Sequence, residues 1–182
     1  PDPYDDVSYE VQWWGDGIEL DSVFTDTNAT IITSALQDNT QYFWEVIAMD
    51  HTDGISQSVE ATFWTDLIPE APDGFVLINP EDDATGVSDE PEFLWESTLD
   101  PDPFDYATYT LQIATDSLFA DIEYEVNTGI DVEHEVDESE LPNDAEYWWR
   151  VLATDTDSLT TTSETFKFTV GYVSIVDEVS LP

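Results

Sequence analysis

The chain contains no cysteine, which excludes a disulfide framework and any thiolate metal site. It is also nearly devoid of positive charge. Two cationic side chains, Arg150 and Lys167, stand against 43 Asp and Glu, for a formal net charge of -41. Ion pairing therefore cannot neutralise the surface, and repulsion excludes nucleic acid as a partner. No apolar run approaches the roughly 20 residues that cross a bilayer as a helix, so membrane insertion by this segment is not expected. Helical periodicity of any length is missing too, which argues against an all-α or mixed fold. The two histidines, His51 and His134, lack a nucleophile and a matching base around them, so neither a triad nor a zinc site can be assembled.

What is present is a large apolar payload: 41% hydrophobic residues, with 7 Trp, 8 Tyr and 9 Phe. That is too much for a disordered acidic tail, and it implies packed cores. The sequence also repeats itself. PDPYDDVSYEVQWWGD from Pro1 lies over PDPFDYATYTLQIATD from Pro101, with 7 of 16 positions identical. The match resumes at an offset of 105, where LQDNTQYFWEVIAMD from Leu36 meets LPNDAEYWWRVLATD from Leu141. Between these blocks the second copy is longer by 5 residues.

Within the repeat, Tyr9, Val11 and Trp13, like Tyr109, Leu111 and Ile113, alternate with polar or outward positions, the mark of a half-buried strand. Tyr42, Trp44, Val46 and Ala48 do the same, as do Tyr147, Trp149, Val151 and Ala153. Short strands separated by Asp, Asn, Gly and Pro predict an all-β chain of tandem antiparallel β-sandwiches. Trp44 and Trp149 are expected in the cores.

Three segments resemble strands B, F and G of bacterial fibronectin type III domains, a class of immunoglobulin-like sandwich: FLWES with Trp95, LPNDAEYWWRVLA, and TFKFTV. Leu141 and Tyr147 are similar to that family's tyrosine corner, and Leu36 with Tyr42 repeats the spacing. The C-terminal GYVSIVDEVSLP is similar to linkers that precede the sorting domains of type IX secretion cargo. The resemblance implies a fold and an extracellular bacterial setting, and leaves function to be argued from sites.

The domain reading places a partial fibronectin type III-like domain at 1–66, a Pro-bearing linker at 67–73, a complete domain at 74–170 and a tail or linker at 171–182. Residues 74–100, which carry strands A and B, have no counterpart before Pro1, so the first domain is expected to lack those strands. They would come from upstream or from another chain. The inner face of Tyr9, Val11, Trp13, Trp44 and Val46 would otherwise lack most of its cover.

Acidic residues form the strongest chemical constellation. Asp100, Asp102 and Asp105 fall in the B–C loop and Asp155 and Asp157 in the F–G loop, which this topology brings to one pole. Carboxylates converging from two loops suit Ca²⁺, the one cofactor implied, although in so acidic a chain any loop holds several turn-favouring aspartates merely as solvated charge. Asp2, Asp5, Asp50 and Asp53 repeat the arrangement in the first copy. No EF-hand pattern of Gly and Glu follows. Trp14, Phe43, Trp64 and Trp148 are the outward aromatics by alternation, candidates for contact with other domains, other chains of a surface assembly or surface glycans.

The function read from these features is that of a non-catalytic structural or adhesive spacer of a bacterial surface protein. One rival is a polymerising filament subunit whose first domain is completed by a donated strand. Another is the accessory module of a secreted hydrolase or protease. All three share one electrostatic expectation. Crowded like charges oppose the compact state, so raising NaCl from about 0.05 to about 0.5 M should lift the melting temperature by screening alone. A melting temperature indifferent to salt would refute it.

Overall fold

The structure is a computed structural model that describes residues 7–25, 35–50, 54–137, 140–142 and 145–171. It is built of strands: β1 (Val7–Gly15), β2 (Ile18–Thr25), β3 (Gln41–Asp50), β4 (Ile55–Gln57), β5 (Ala61–Trp64), β6 (Leu77–Asn79) and β7 (Ala84–Val87). There follow β8 (Glu92–Trp95), β9 (Thr108–Ala114), β10 (Ile122–Gly129), β11 (Glu133–Glu135), β12 (Glu146–Thr154), β13 (Thr160–Thr162) and β14 (Phe166–Val170). No described helix is long and apolar enough to cross a membrane. Two compact units divide between Pro69 and Glu70.

In the second unit, two sheets face each other. One runs β10-β9-β12-β14-β7 with β13 also on β12, and the other runs β11-β8-β6. Their inner faces supply a core of Phe93, Trp95, Leu111, Ile113, Trp149, Val151 and Phe168, each no more than 1% exposed. Phe93 meets Trp149 edge to face at 5.0 Å and Phe168 at 5.6 Å, so the small sheet is pinned to the large one by aromatic rings.

The first unit shows one antiparallel sheet, β2-β1-β3-β4 with β5 continuing on β3. Its register repeats that of the second unit. Val11 pairs with Val46 and Trp13 with Trp44, as Leu111 pairs with Val151 and Ile113 with Trp149. Trp13 and Tyr42 are buried. Trp44, expected in a core, is only half-buried, and so are Val11, Val46 and Ala48. The reason is that Trp149 packs against Phe93 of a second sheet, and the described residues of the first unit include no second sheet.

Most of the extra length of the second copy enters at one hairpin. Val11 faces Val23 across β1–β2, whereas Leu111 faces Val126 across β9–β10. The short tip holds Gly17 at φ 70°, a conformation that favours glycine. The long tip is organised by Asp116, whose carboxylate accepts N–H bonds from Leu118 (2.8 Å), Ala120 (3.0 Å) and Asp121 (2.9 Å). Phe119 of that tip turns inward, and the Arg150 guanidinium lies 3.9 Å from its ring centre. Arg150 Nε also donates to Gln112 at 2.8 Å, tying the tip to the sheet.

Two further details recur at the same places in both units. Ser58 and Ser163 interrupt the last strand, and each hydroxyl accepts the N–H that the break leaves free, from Val46 at 2.9 Å and Val151 at 3.0 Å. The tyrosine corner recurs with reversed polarity. Gln37 N–H donates to Tyr42 Oη at 2.9 Å, but the equivalent Pro142 has no N–H, so Tyr147 donates its hydroxyl to the Pro142 carbonyl at 3.1 Å.

Tyr42→Phe and Tyr147→Phe should each lower stability by about 1 kcal/mol, the ordinary worth of one such bond, measured by denaturant melts. An unchanged midpoint for both would show that the corners bear no energy. A second expectation concerns Asp116, whose carboxyl is held below its ordinary 3.8 chiefly by the Asp121 N–H, with those of Leu118, Ala120 and Phe119 adding to it. A depressed folded pKa contributes stability above the unfolded value and loses it as pH falls through the folded one. Asp116→Asn should therefore lower the melting temperature near neutral pH, and the gap from the parent should close as pH falls below the ordinary 3.8 and on through the depressed folded value. A gap independent of pH would overturn this.

Candidate functional site

The chain leaves β8 at Trp95 and reaches β9 at Thr108 through a loop that contains Pro101 and Pro103. Asp105 N–H bonds the Asp102 carbonyl at 3.3 Å, closing a turn with Pro103 in its second position and Phe104 in its third. Proline at the second position sets a φ that suits type I and type II turns alike, and type II places the third residue at positive φ. Phe104 supplies it at φ 73°, a strained setting for a side chain that remains exposed. A second turn leaves β12. Asp155 N–H bonds the Leu159 carbonyl at 3.1 Å, Leu159 N–H returns to Asp155 Oδ1 at 2.8 Å, and Ser158 takes φ 70°.

These turns gather carboxylates. One oxygen from each of Asp100, Asp102 and Asp105 lies within 4.8 Å of the others. Asp102 and Asp155 are 3% and 7% exposed, unusual for acids without a cationic partner. Every member uses one oxygen locally. Asp100 Oδ1 accepts from Asp102 N–H at 3.0 Å, and Asp102 Oδ2 from Glu70 N–H at 2.8 Å. Asp105 Oδ1 accepts from the Thr156 hydroxyl at 2.6 Å, and Asp155 Oδ1 from Leu159. The other oxygens, Asp100 Oδ2, Asp102 Oδ1, Asp105 Oδ2 and Asp155 Oδ2, are buried without a hydrogen-bond partner among the described residues.

Burial pushes the Asp100 carboxyl up, and the nearby charges of Asp155, Asp102 and Asp105 push it further, against the lowering pull of the Asp102 N–H. The chain's two cations are engaged elsewhere, Lys167 with Asp83 at 3.0 Å and Glu146 at 3.3 Å, and Arg150 over Phe119. The cluster is thus a pocket of negative charge.

Of the acids singled out in the sequence, Asp100, Asp102 and Asp105 come together, Asp155 lies beside them, its charge acting on Asp100 and its neighbour Thr156 bonding Asp105, and Asp157 stays exposed on its turn. Asp2, Asp5 and Asp53 lie outside the described residues. Asp50 is described, and its bonds to Gly54 match those of Asp155 to Leu159, with Gly54 N–H on Asp50 Oδ1 at 2.8 Å. Sequence reasoning missed the Thr156 hydroxyl and the Glu70 amide, because their role comes from residues 51 and 32 positions away. Among the aromatics, Trp14 stacks on Phe43 at 6.2 Å, both half-buried, and these two line a shallow groove of about 670 Å³ with the exposed Trp64. Trp148 is half-buried in the second unit.

A family model described as the Rha78A-like, N-terminal immunoglobulin domain matches residues 76–174, more than half of the 182 residues. The chain belongs to this family. The matched span holds all of β6–β14 and the acidic cluster, so the cluster lies within the matched domain. No curated protein matches the chain. Solved structures similar to it include the FN1–FN3 domains of chicken CNTN1, at 16% identity and a TM-score of 0.39 over 91% of this chain. The fibronectin(III)-like modules of Clostridium thermocellum CbhA align at 14% identity and a TM-score of 0.41, again over 91%. The chain spans 57% of the length of the chicken FN1–FN3 chain and 80% of that of the clostridial modules.

Proposed function

We propose that this chain is a non-catalytic spacer of an extracellular bacterial surface protein, whose immunoglobulin-like units set the distance between a functional domain and its anchorage. The observation that carries the reading is the duplication of one framework in a chain of an immunoglobulin-domain family. Register, corner tyrosine, strand-breaking serine and capped turn all recur. Repeating a β-framework extends reach, and it commits buried side chains to packing. Pro69 and Pro72 favour a stiff connection, and the net charge of -41 favours solubility and resists self-association.

A second reading makes the chain the accessory module of a secreted hydrolase or protease. It draws support from the family description, which is that of an N-terminal domain and so of one part of a longer protein.

One experiment separates the two. The chain is replaced, within its parent protein, by an unrelated pair of β-sandwich domains of equal length. A spacer tolerates the exchange, with display or attachment retained, while simple deletion impairs it. If the exchange impairs the parent as much as deletion does, the spacer reading fails, and a selective loss of hydrolytic turnover identifies the accessory module.

A further inference from the structure

Four carboxylates at one end of the second unit are held in a way that the described residues do not complete. Asp100, Asp102, Asp105 and Asp155 each direct one oxygen to a local donor and bury the other without one. Asp102 and Asp155 are more than nine-tenths buried. A buried anionic oxygen without a partner is among the costlier arrangements in a folded protein, and several within a few ångströms repel one another as well. Neither Arg150 nor Lys167 is placed to relieve them. Among the described residues no cation answers them, which leaves a demand for added positive charge.

We propose that Asp100, Asp102, Asp105 and Asp155 bind one Ca²⁺ ion, which fastens the segment leading into the second unit onto its sandwich. The donor set is oxygen alone, which suits a hard cation and not a soft transition metal. The oxygens of Asp100, Asp102 and Asp105 lie within 4.8 Å of one another. That is no farther apart than two Ca–O distances of roughly 2.4 Å, so one calcium shell can reach all three. Water and main-chain carbonyls would complete the six to eight ligands that Ca²⁺ usually takes.

The fastening follows from the opposite oxygen of Asp102. While Oδ1 is the unpartnered atom, Oδ2 holds the Glu70 amide. The same segment is tied down beyond Glu70. Asp73 N–H donates to the Leu99 carbonyl at 2.9 Å, the Thr98 hydroxyl to the Asp73 carbonyl at 2.6 Å, and the Thr161 hydroxyl to the Pro72 carbonyl. An ion that fixes the Asp102 carboxylate also fixes its grip on Glu70. Without the ion, repulsion from Asp100 and Asp105 works against that grip. The inference stands apart from the spacer reading, since an accessory module would gain the same rigid entry.

The test uses the full chain freed of metal by chelator, then titrated with CaCl2 by calorimetry and followed by hydrogen exchange at peptides covering 67–73. One Ca²⁺ per chain should bind with Kd of roughly 10⁻⁵ to 10⁻³ M, and Mg²⁺ at least about tenfold more weakly. Exchange at the Glu70 amide should slow when Ca²⁺ is added. Asp102→Asn with Asp155→Asn should abolish that binding event, yet melt in chelator at or above the parent, because repulsion is removed. Asp157→Asn should bind like the parent. Asp105→Asn alone, at a half-buried position, should weaken binding and provides the same reading if the double variant does not fold. Equal responses to Ca²⁺ and Mg²⁺, or a multitude of weak sites unaltered by the variants, would show a diffuse ion atmosphere and overturn the site. Binding that leaves Glu70 exchange unchanged would overturn the fastening.

Discussion

Carboxylates without cations are the constraint under which this whole structure forms. With 43 acids and two basic side chains, an acid that leaves bulk water must find a neutral donor, and the commonest neutral donor is the main-chain amide. The turns are built accordingly. Asp116 gathers three amides at the β9–β10 tip, Asp38 takes Leu67 and Asn39, Asp50 takes Gly54, and Asp155 takes Leu159. Asp82 takes the amide of Lys167, leaving that residue's ammonium for Asp83 and Glu146. Charge excess is thereby turned into turn geometry, since every such bond fixes a loop as it satisfies an oxygen. The cluster around Asp102 marks the limit of the strategy, because each amide answers only one of the two oxygens of a carboxylate.

The second constraint is that a sheet must bury one face, and the two units meet it differently. In the second, β8 brings Phe93 and Trp95 over Trp149, and the rings lock the small sheet to the large one. In the first, the same register of β1 on β3 sets Trp13 beside Trp44, but the face they share with Val11 and Val46 is only partly covered by described residues. Ladder pairing is local to the hairpins and follows the strand sequence, whereas burial of the face needs a partner sheet. A repeated sequence can therefore repeat its register without repeating its core.

Alternation in the two duplicated blocks, the tyrosine spacing and the turn residues were enough to read an all-β duplicated framework of immunoglobulin type, because those signals are carried by residues near in sequence. Gathering of Asp100, Asp102 and Asp105 was legible for the same reason, three acids in one short Pro-containing loop. Three things were settled by tertiary structure. Trp44 is half-buried where Trp149 is sealed, since coverage depends on a distant sheet. Asp155 joins the cluster while Asp157, two residues on, points to solvent, since the turn ending at Leu159 fixes which carboxylate faces inward. Glu70 anchors to Asp102 by its amide, a group every residue but proline carries and no sequence pattern singles out.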